Sequence, residues 1–214
     1  MGTSRIASEL LVGSYSADRQ LMERADSCGI QRRGYGWKSN SCKIKPMNIG
    51  DDVPTFETRA SLNGEAFDYS LSEALENGMV VVYFYPSAFT PGCNIQAHEF
   101  ADNMEAFNDA GATVIGVSLD SIDRLNEYSA DSAYCAGKLA VASDATGEIA
   151  KSYDLMIHEC REGAADTRGV TIEHGFAERK TFIVSADGKI VETISGVSPT
   201  ENVLKALEVV QRRE

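Results

Sequence analysis

Met79 to Tyr85 reads MVVVYFY, an unbroken apolar run of β-branched and aromatic residues. A run this short, without polar alternation, fits a central strand buried on both faces. Thr113 to Leu119 (TVIGVSL) is a second such run, and Leu139 to Ser143 a weaker third. Thr181 to Val184 and Ile190 to Ile194 flank Asp187-Gly188, the two-residue signature of a hairpin. Helical patterns lie between, at about 94–109 (ending before Gly111), 121–129 and 147–153. A last helix is predicted over about 200–212, after Pro199, with Val203, Leu204, Leu207 and Val210 along one face. Strands alternating with helices and closing on a hairpin predict an α/β fold, a mixed central sheet flanked by helices. Residues 156–178, charged and containing Gly163, Gly169 and Gly175, read as a long loop or insertion, a place where function often resides.

The charge is unevenly spread. The 214 residues carry a net charge of −12, but residues 1–46 hold eight of the 20 basic residues and only four of the 32 acidic ones. The expected organisation is a mildly basic segment over 1–46 and one domain over 47–214. So acidic a body argues against a general nucleic-acid binder, which needs clustered Lys and Arg to neutralise phosphates. No apolar run approaches the ~18–20 residues that span a bilayer, so no membrane insertion is expected. The leading segment lacks the apolar core of a secretory signal. It reads as an extension, a start placed upstream of Met47, or a chloroplast or mitochondrial transit peptide. A soluble intracellular protein, cytoplasmic unless that segment is a transit peptide, is the expectation. Five cysteines are too few, and odd in number, for a disulfide scaffold.

In an open α/β sheet, ligands gather beyond the carboxyl ends of the strands. Tyr85-Pro86-Ser87-Ala88-Phe89-Thr90-Pro91-Gly92-Cys93 follows the strongest strand and places Cys93 in the first turn of the next helix. Unpaired amides and the helix dipole there favour a thiolate, the nucleophilic form. The plainer reading is a small buried hydrophobe. Pro86 fixes the backbone at the strand end. Thr90 brings a hydroxyl three residues before the thiol, to donate to an oxygen near the sulfur or to cap the helix.

Pro86, Thr90 and Cys93 fit the Pro-x-x-x-Thr/Ser-x-x-Cys motif of the peroxiredoxins. YFYP, TPGC and the following Gln-Ala resemble the bacterioferritin-comigratory, or PrxQ, branch, over about Met47 to Val210. The resemblance implies a thioredoxin-like fold and reduction of hydrogen peroxide and organic hydroperoxides by a peroxidatic cysteine, Cys93, without metal, haem or flavin. It also implies an arginine two residues before a Thr-Phe pair; Arg179-Lys180-Thr181-Phe182 makes Arg179 the candidate, stabilising the thiolate and donating to the peroxide. Thr90 and the amides near Gly92 and Cys93 would hold the peroxide oxygens, and Pro86 would shield the sulfenic acid. Apart from the resemblance, Arg179 reads as a solvated charge beside Lys180.

The sulfenic acid must then meet a thiol or oxidise further. Many members of the branch carry a second cysteine five residues after the first, where this chain has His98; another departure is Ala101 in place of an arginine. Gln96 excludes a Cys-x-x-Cys reductase. Cys135, after the second helix, is the candidate resolving cysteine, a one-cysteine mechanism with an external thiol being the alternative. A local unwinding of the Cys93 helix turn is expected to bring Cys135 within disulfide range. Cys160 is a weaker candidate, and Cys28 and Cys42 fall outside the resemblance. The resemblance implies thioredoxin or another dithiol as reductant and a monomer, with a dimer as alternative. Rival readings are a cysteine hydrolase pairing Cys93 with His158 or His174, a metal site from His158, Cys160 and His174, and a non-catalytic thioredoxin-like binding or chaperone module.

Overall fold

A computed structural model describes residues 47–212. The readings of residues 1–46, with Cys28 and Cys42, lie outside the described residues.

The first elements among the described residues form a hairpin that the sequence reading did not single out, β1 (Glu57–Leu62) and β2 (Glu65–Ser70), turning at Asn63-Gly64. Both turn residues have positive φ, 51° and 82°, as a two-residue turn matched to strand twist requires. A short helix α1 (Leu71–Leu75) leads into β3 (Met79–Phe84), which is followed by α2 (Pro91–Asp109), β4 (Ala112–Ser118), α3 (Ile122–Ala130), β5 (Ala140–Ser143) and α4 (Glu148–Ser152). The two-residue strands β6 (Ile157–His158) and β7 (Phe176–Ala177) precede β8 (Lys180–Val184), β9 (Ile190–Ser195) and α5 (Pro199–Gln211).

Seven strands form one mixed sheet in the order β2-β1-β5-β4-β3-β8-β9. β3, β4 and β5 are parallel, while β8 pairs antiparallel with β3 and β9 with β8. The MVVVYFY run is thus central, and its alternating side chains feed two cores. Val81, Tyr83 and Tyr85 pack with Cys93, Phe100 and Phe107 of α2, Leu125 and Tyr128 of α3, and Val203 and Val210 of α5. Val80, Val82 and Phe84 face Leu71 and Leu75 of α1, Ala150 of α4, Tyr153 and Phe182. A continuous apolar strand between two helical layers is what the run demands physically.

Residues 156–178 are not a structureless loop. Ile157 pairs with Ala177 and His158 with Phe176, so β6 and β7 close the excursion at its base. An isolated bridge between Ala165 and Thr171 tightens its tip. Two-residue pairings leave almost no periodicity to read, which is why the sequence suggested only a loop.

Candidate active site

Cys93 lies in the first turn of α2 and is 2% exposed, facing into the core shared by α2, α3 and α5. Thr90 occupies the N-cap position, but its side chain does not cap the helix. Its hydroxyl donates back to the Ser87 carbonyl at 2.8 Å. With that proton committed, the Thr90 oxygen is left to accept a hydrogen bond, and the first-turn amides of Gly92 and Cys93 receive no cap from it. Pro91 has no N–H to leave orphaned. The helix therefore offers uncapped donors beside the sulfur. Pro86 stands half-buried at the end of the strand segment.

Arg179 enters from just before β8. Its Nη2 donates to Cys93 Sγ at 3.2 Å, across 86 residues of chain. Gly92 makes room for it: a Cβ there would stand 3.3 Å from Arg179 Nη2. The guanidinium's Nη1 donates to Gln96 Oε1. Gln96, one turn beyond Cys93, is fully buried and donates through Nε2 to Asn202 Oδ1 of α5 at 2.9 Å. The Thr181 hydroxyl also donates to Asn202 Oδ1, at 2.7 Å, and Asn202 Nδ2 donates to the Ile194 carbonyl. Most buried polar side chains are paired, and here the pairing fixes the plane of the arginine fork. Sequence reading found Arg179 but missed Gln96 and Asn202. The signal for Gln96 was its i+3 spacing from Cys93, which puts both on one helix face. Asn202, 106 residues from Gln96, had none. Asn202→Ala is expected to lower peroxidase turnover about tenfold by freeing the guanidinium, with Cys93 alkylation slowed in parallel; unchanged rates in both measurements would refute the positioning role.

The excursion between β6 and β7 braces the loop that carries Thr90. Phe89, fully buried, holds a φ of 59°, a left-handed conformation unfavourable for a bulky side chain. Its carbonyl accepts from the Thr167 amide at 2.9 Å and the Thr167 hydroxyl at 2.8 Å. Arg168 lies over its ring at 3.3 Å, and the ring meets Tyr128 edge-on at 4.8 Å. Arg124 Nη2 donates to the Ala88 carbonyl at 3.0 Å and to Asp166 Oδ2 at 2.8 Å.

Asp120 is the hub beneath this loop. Its carboxylate, with no exposed side-chain surface, accepts from Ala88 N (2.7 Å), Ser87 Oγ (2.9 Å), Ser118 Oγ (2.7 Å) and His174 Nε2 (2.8 Å). Arg124 Nε lies 2.9 Å away. Burial alone would raise the Asp120 pKa, but the hydrogen bond and charge of His174, with those of Ala88 and Ser118, bring it below the ordinary carboxylate value. For His174, burial opposes protonation; the Asp120 hydrogen bond and charge and the Gly175 carbonyl outweigh it and raise the pKa. A histidine raised on folding contributes stability that is complete below ~6.5 and lost as pH rises through the folded value. Asp120, lowered, contributes above ~3.9 and loses it as pH falls through its folded value. The thermal midpoint is thus expected to decline above pH ~6.5, and His174→Asn to flatten that decline. An unchanged pH profile in the variant would refute the pairing.

Other expected groups lie elsewhere. His98, half-exposed, sits 3.4 Å from Asp102 on the surface of α2. Both ring nitrogens of His174 are engaged, by Asp120 and the Gly175 carbonyl, and His158 is exposed on β6. Neither serves Cys93 as the base of a cysteine hydrolase. The Cys160 thiol donates to the Ile172 carbonyl at 2.9 Å, and among the described residues no group of three His, Cys, Asp or Glu is arranged to hold a metal. Cys135 is fully buried in the same core as Cys93. Burial, and then Asp131, push its thiol pKa well up.

A mixed sheet with helices on both faces, bearing an arginine-paired thiol at an uncapped helix start, defines a thiol-dependent oxidoreductase of thioredoxin-like fold. Residues 49–193 match the AhpC/TSA family. A Mycobacterium tuberculosis protein named as a peroxiredoxin is 33% identical over 171 residues, covering 76% of this chain and 94% of that protein. Peroxiredoxin Bcp of Escherichia coli is 29% identical over 147 residues, covering 69% of this chain and 85% of that protein. Among solved structures, peroxidoxin BcpB of M. tuberculosis aligns with a TM-score of 0.65 and 27% identity, over 78% of this chain and 99% of that one. A PrxQ mutant of Xylella fastidiosa aligns at 0.63 and 27%, over 78% and 97%. The chain belongs to the AhpC/TSA family, in the Bcp/PrxQ branch of the peroxiredoxins. It is accordingly a thiol-dependent peroxidase, acting on peroxide at the expense of a thiol reductant. None of its described helices is long and apolar enough to cross a membrane.

Proposed function

We propose that Cys93 is the peroxidatic cysteine and that Arg179, Thr90 and Pro86 complete its site. The observation that carries this reading is the 3.2 Å approach of Arg179 Nη2 to Cys93 Sγ at the uncapped start of α2. The Cys93 thiolate attacks the nearer oxygen of a hydroperoxide in line. The O–O bond breaks, the sulfur becomes sulfenic acid, and the departing oxygen leaves as water or alcohol after taking up a proton. Arg179 and the amides of Gly92 and Cys93 face the charge that develops on the oxygens, which preorganised donors stabilise best. Thr90, whose own proton goes to Ser87, accepts the O–H of the hydroperoxide and so orients it. Pro86 covers the sulfenic acid from solvent.

Cys135 is the resolving thiol in this reading. It condenses with the Cys93 sulfenic acid to a disulfide and water, and thioredoxin or a similar dithiol reduces that disulfide. Residues 47–214 form the catalytic domain of a monomer, soluble and intracellular, with residues 1–46 as an extension. The test is peroxide consumption by the full chain with thioredoxin or dithiothreitol. Cys93→Ser is expected to abolish it; a Cys93→Ser protein that still consumes peroxide would refute the assignment. Peptide mapping after one equivalent of peroxide is expected to show a Cys93–Cys135 disulfide that Cys135→Ser removes, whereas a lasting sulfenic acid in the wild-type protein would favour the one-cysteine route.

A further inference from the structure

Three phenol groups in the cluster around Cys93 and Cys135, those of Tyr83, Tyr85 and Tyr128, have no hydrogen-bond partner among the described residues, and Tyr83 and Tyr128 are the two considered for a role in resolution. The hydroxyls of Tyr83 and Tyr128 are fully enclosed and have no hydrogen-bond partner among the described residues. An unpaired buried hydroxyl is costly, and such groups in native proteins call for an explanation. Both belong to the cluster that contains Cys93 and Cys135. Tyr83 is accommodated by its register partner on β4, Gly116: a Cβ at that position would stand 2.5 Å from the Tyr83 hydroxyl oxygen. Tyr128 reaches the same compartment from α3, its ring 4.8 Å from Phe89 and 5.6 Å from Tyr134, the residue before Cys135. Burial raises both phenol pKa values, so each hydroxyl stays protonated in the compartment it shares with the two thiols.

The resolving step needs such groups. Cys135 is fully buried, and its thiolate is disfavoured there, so resolution cannot rest on a standing population of the ionised nucleophile. Attack must be accompanied by proton removal. We infer that the hydroxyls of Tyr83 and Tyr128 relay that proton, joining Cys135 to the sulfenic oxygen on Cys93. The inference rests on the reading of Cys135 as the resolving thiol. The sulfur lone pair of Cys135 forms the S–S bond as the S–O bond of Cys93 breaks. A tyrosine oxygen accepts the Cys135 S–H proton while its own O–H proton passes to the departing hydroxyl. The products are the disulfide, water and a neutral tyrosine, so protons and electrons balance without another reactant. In this role both tyrosines touch the reacting atoms and are catalytic in resolution, not in the attack on peroxide.

Rapid mixing of reduced full-length protein with hydrogen peroxide, quenching and peptide mapping separate the two steps. Tyr83→Phe and Tyr128→Phe keep the rings and remove only the hydroxyls. Sulfenic acid formation is expected to proceed at the wild-type rate in both. Cys93–Cys135 disulfide formation is expected to slow at least tenfold in Tyr83→Phe, Tyr128→Phe or their combination, with more Cys93 sulfinic acid at high peroxide. The pH profile distinguishes a proton role from a packing one. Wild-type resolution should be nearly flat between pH 6 and 8, whereas the slowed variant should gain close to tenfold per pH unit as it falls back on the Cys135 thiolate. Wild-type rates and profiles in both variants and the double variant, with the disulfide still forming, would overturn the tyrosine assignment alone. Absence of a Cys93–Cys135 peptide from the wild-type protein would overturn the resolving-thiol reading, and the relay with it.

Discussion

Replacing Arg179 with alanine is expected to lower peroxidase turnover by about two to three orders of magnitude, the usual loss when one preorganised donor to a developing negative charge is removed. The guanidinium holds two partners at once, Cys93 Sγ at 3.2 Å and Gln96 Oε1. Lysine supplies a charge but not a planar fork, so Arg179→Lys should recover only a small part of the loss. The thermal midpoint should move by no more than a few degrees, because what the fold loses is about one hydrogen bond at Gln96. Steady-state kinetics with hydrogen peroxide, beside a thermal melt, make the check. An Arg179→Ala enzyme with unimpaired turnover would remove Arg179 from the site.

Asp120→Ala should act on stability first. The substitution takes one carboxylate from Arg124, His174, Ser87, Ser118 and the Ala88 amide together. Breaking a buried charge pair by deleting one partner typically costs about 3–5 kcal/mol, which in a chain of this size lowers the thermal midpoint by roughly 10 °C. Asp120→Asn, which keeps some of the hydrogen bonds, should lose less. Turnover of the Asp120→Ala protein that remains folded should also fall, since the Ala88 amide and Ser87 shape the loop that presents Thr90. A melt within a degree or two of wild type would mean that the carboxylate is not the hub.

The central sheet was legible in the sequence because its strands are extreme: MVVVYFY has no charged residue and no polar alternation, and TVIGVSL departs from that only at Thr113 and Ser118. Cys93, Pro86, Thr90 and Arg179 were singled out through the resemblance to the peroxiredoxin motifs, Arg179 through that alone, and the structure brings Cys93 and Arg179 into contact. The hairpin was not singled out although Asn63-Gly64 is a strong turn signal, because β2 is exposed along most of its length and offers only Phe67 and Tyr69 as an apolar face. Gln96, Asn202, Asp120, Thr167 and His174 were unreadable for another reason. Their importance lies in partners tens of residues away, and a polar side chain in isolation gives no sign of whether it will be buried. Thr90 was legible as a residue, but the direction of its hydroxyl, toward Ser87 and away from the helix it precedes, is set by tertiary geometry.

The left-handed Phe89 bears on the order in which this protein becomes itself. Its carbonyl is held by Thr167, 78 residues downstream, and the sulfur by Arg179, 86 residues downstream. Such non-local contacts form only once the loop-closure entropy of the intervening chain has been met. A chain in which they have not formed therefore carries the Cys93 thiol without the braced loop and without the arginine contact. On the proposed reading of the site, the thiol would then meet peroxide with its full apparatus only once residues far along the chain are in place.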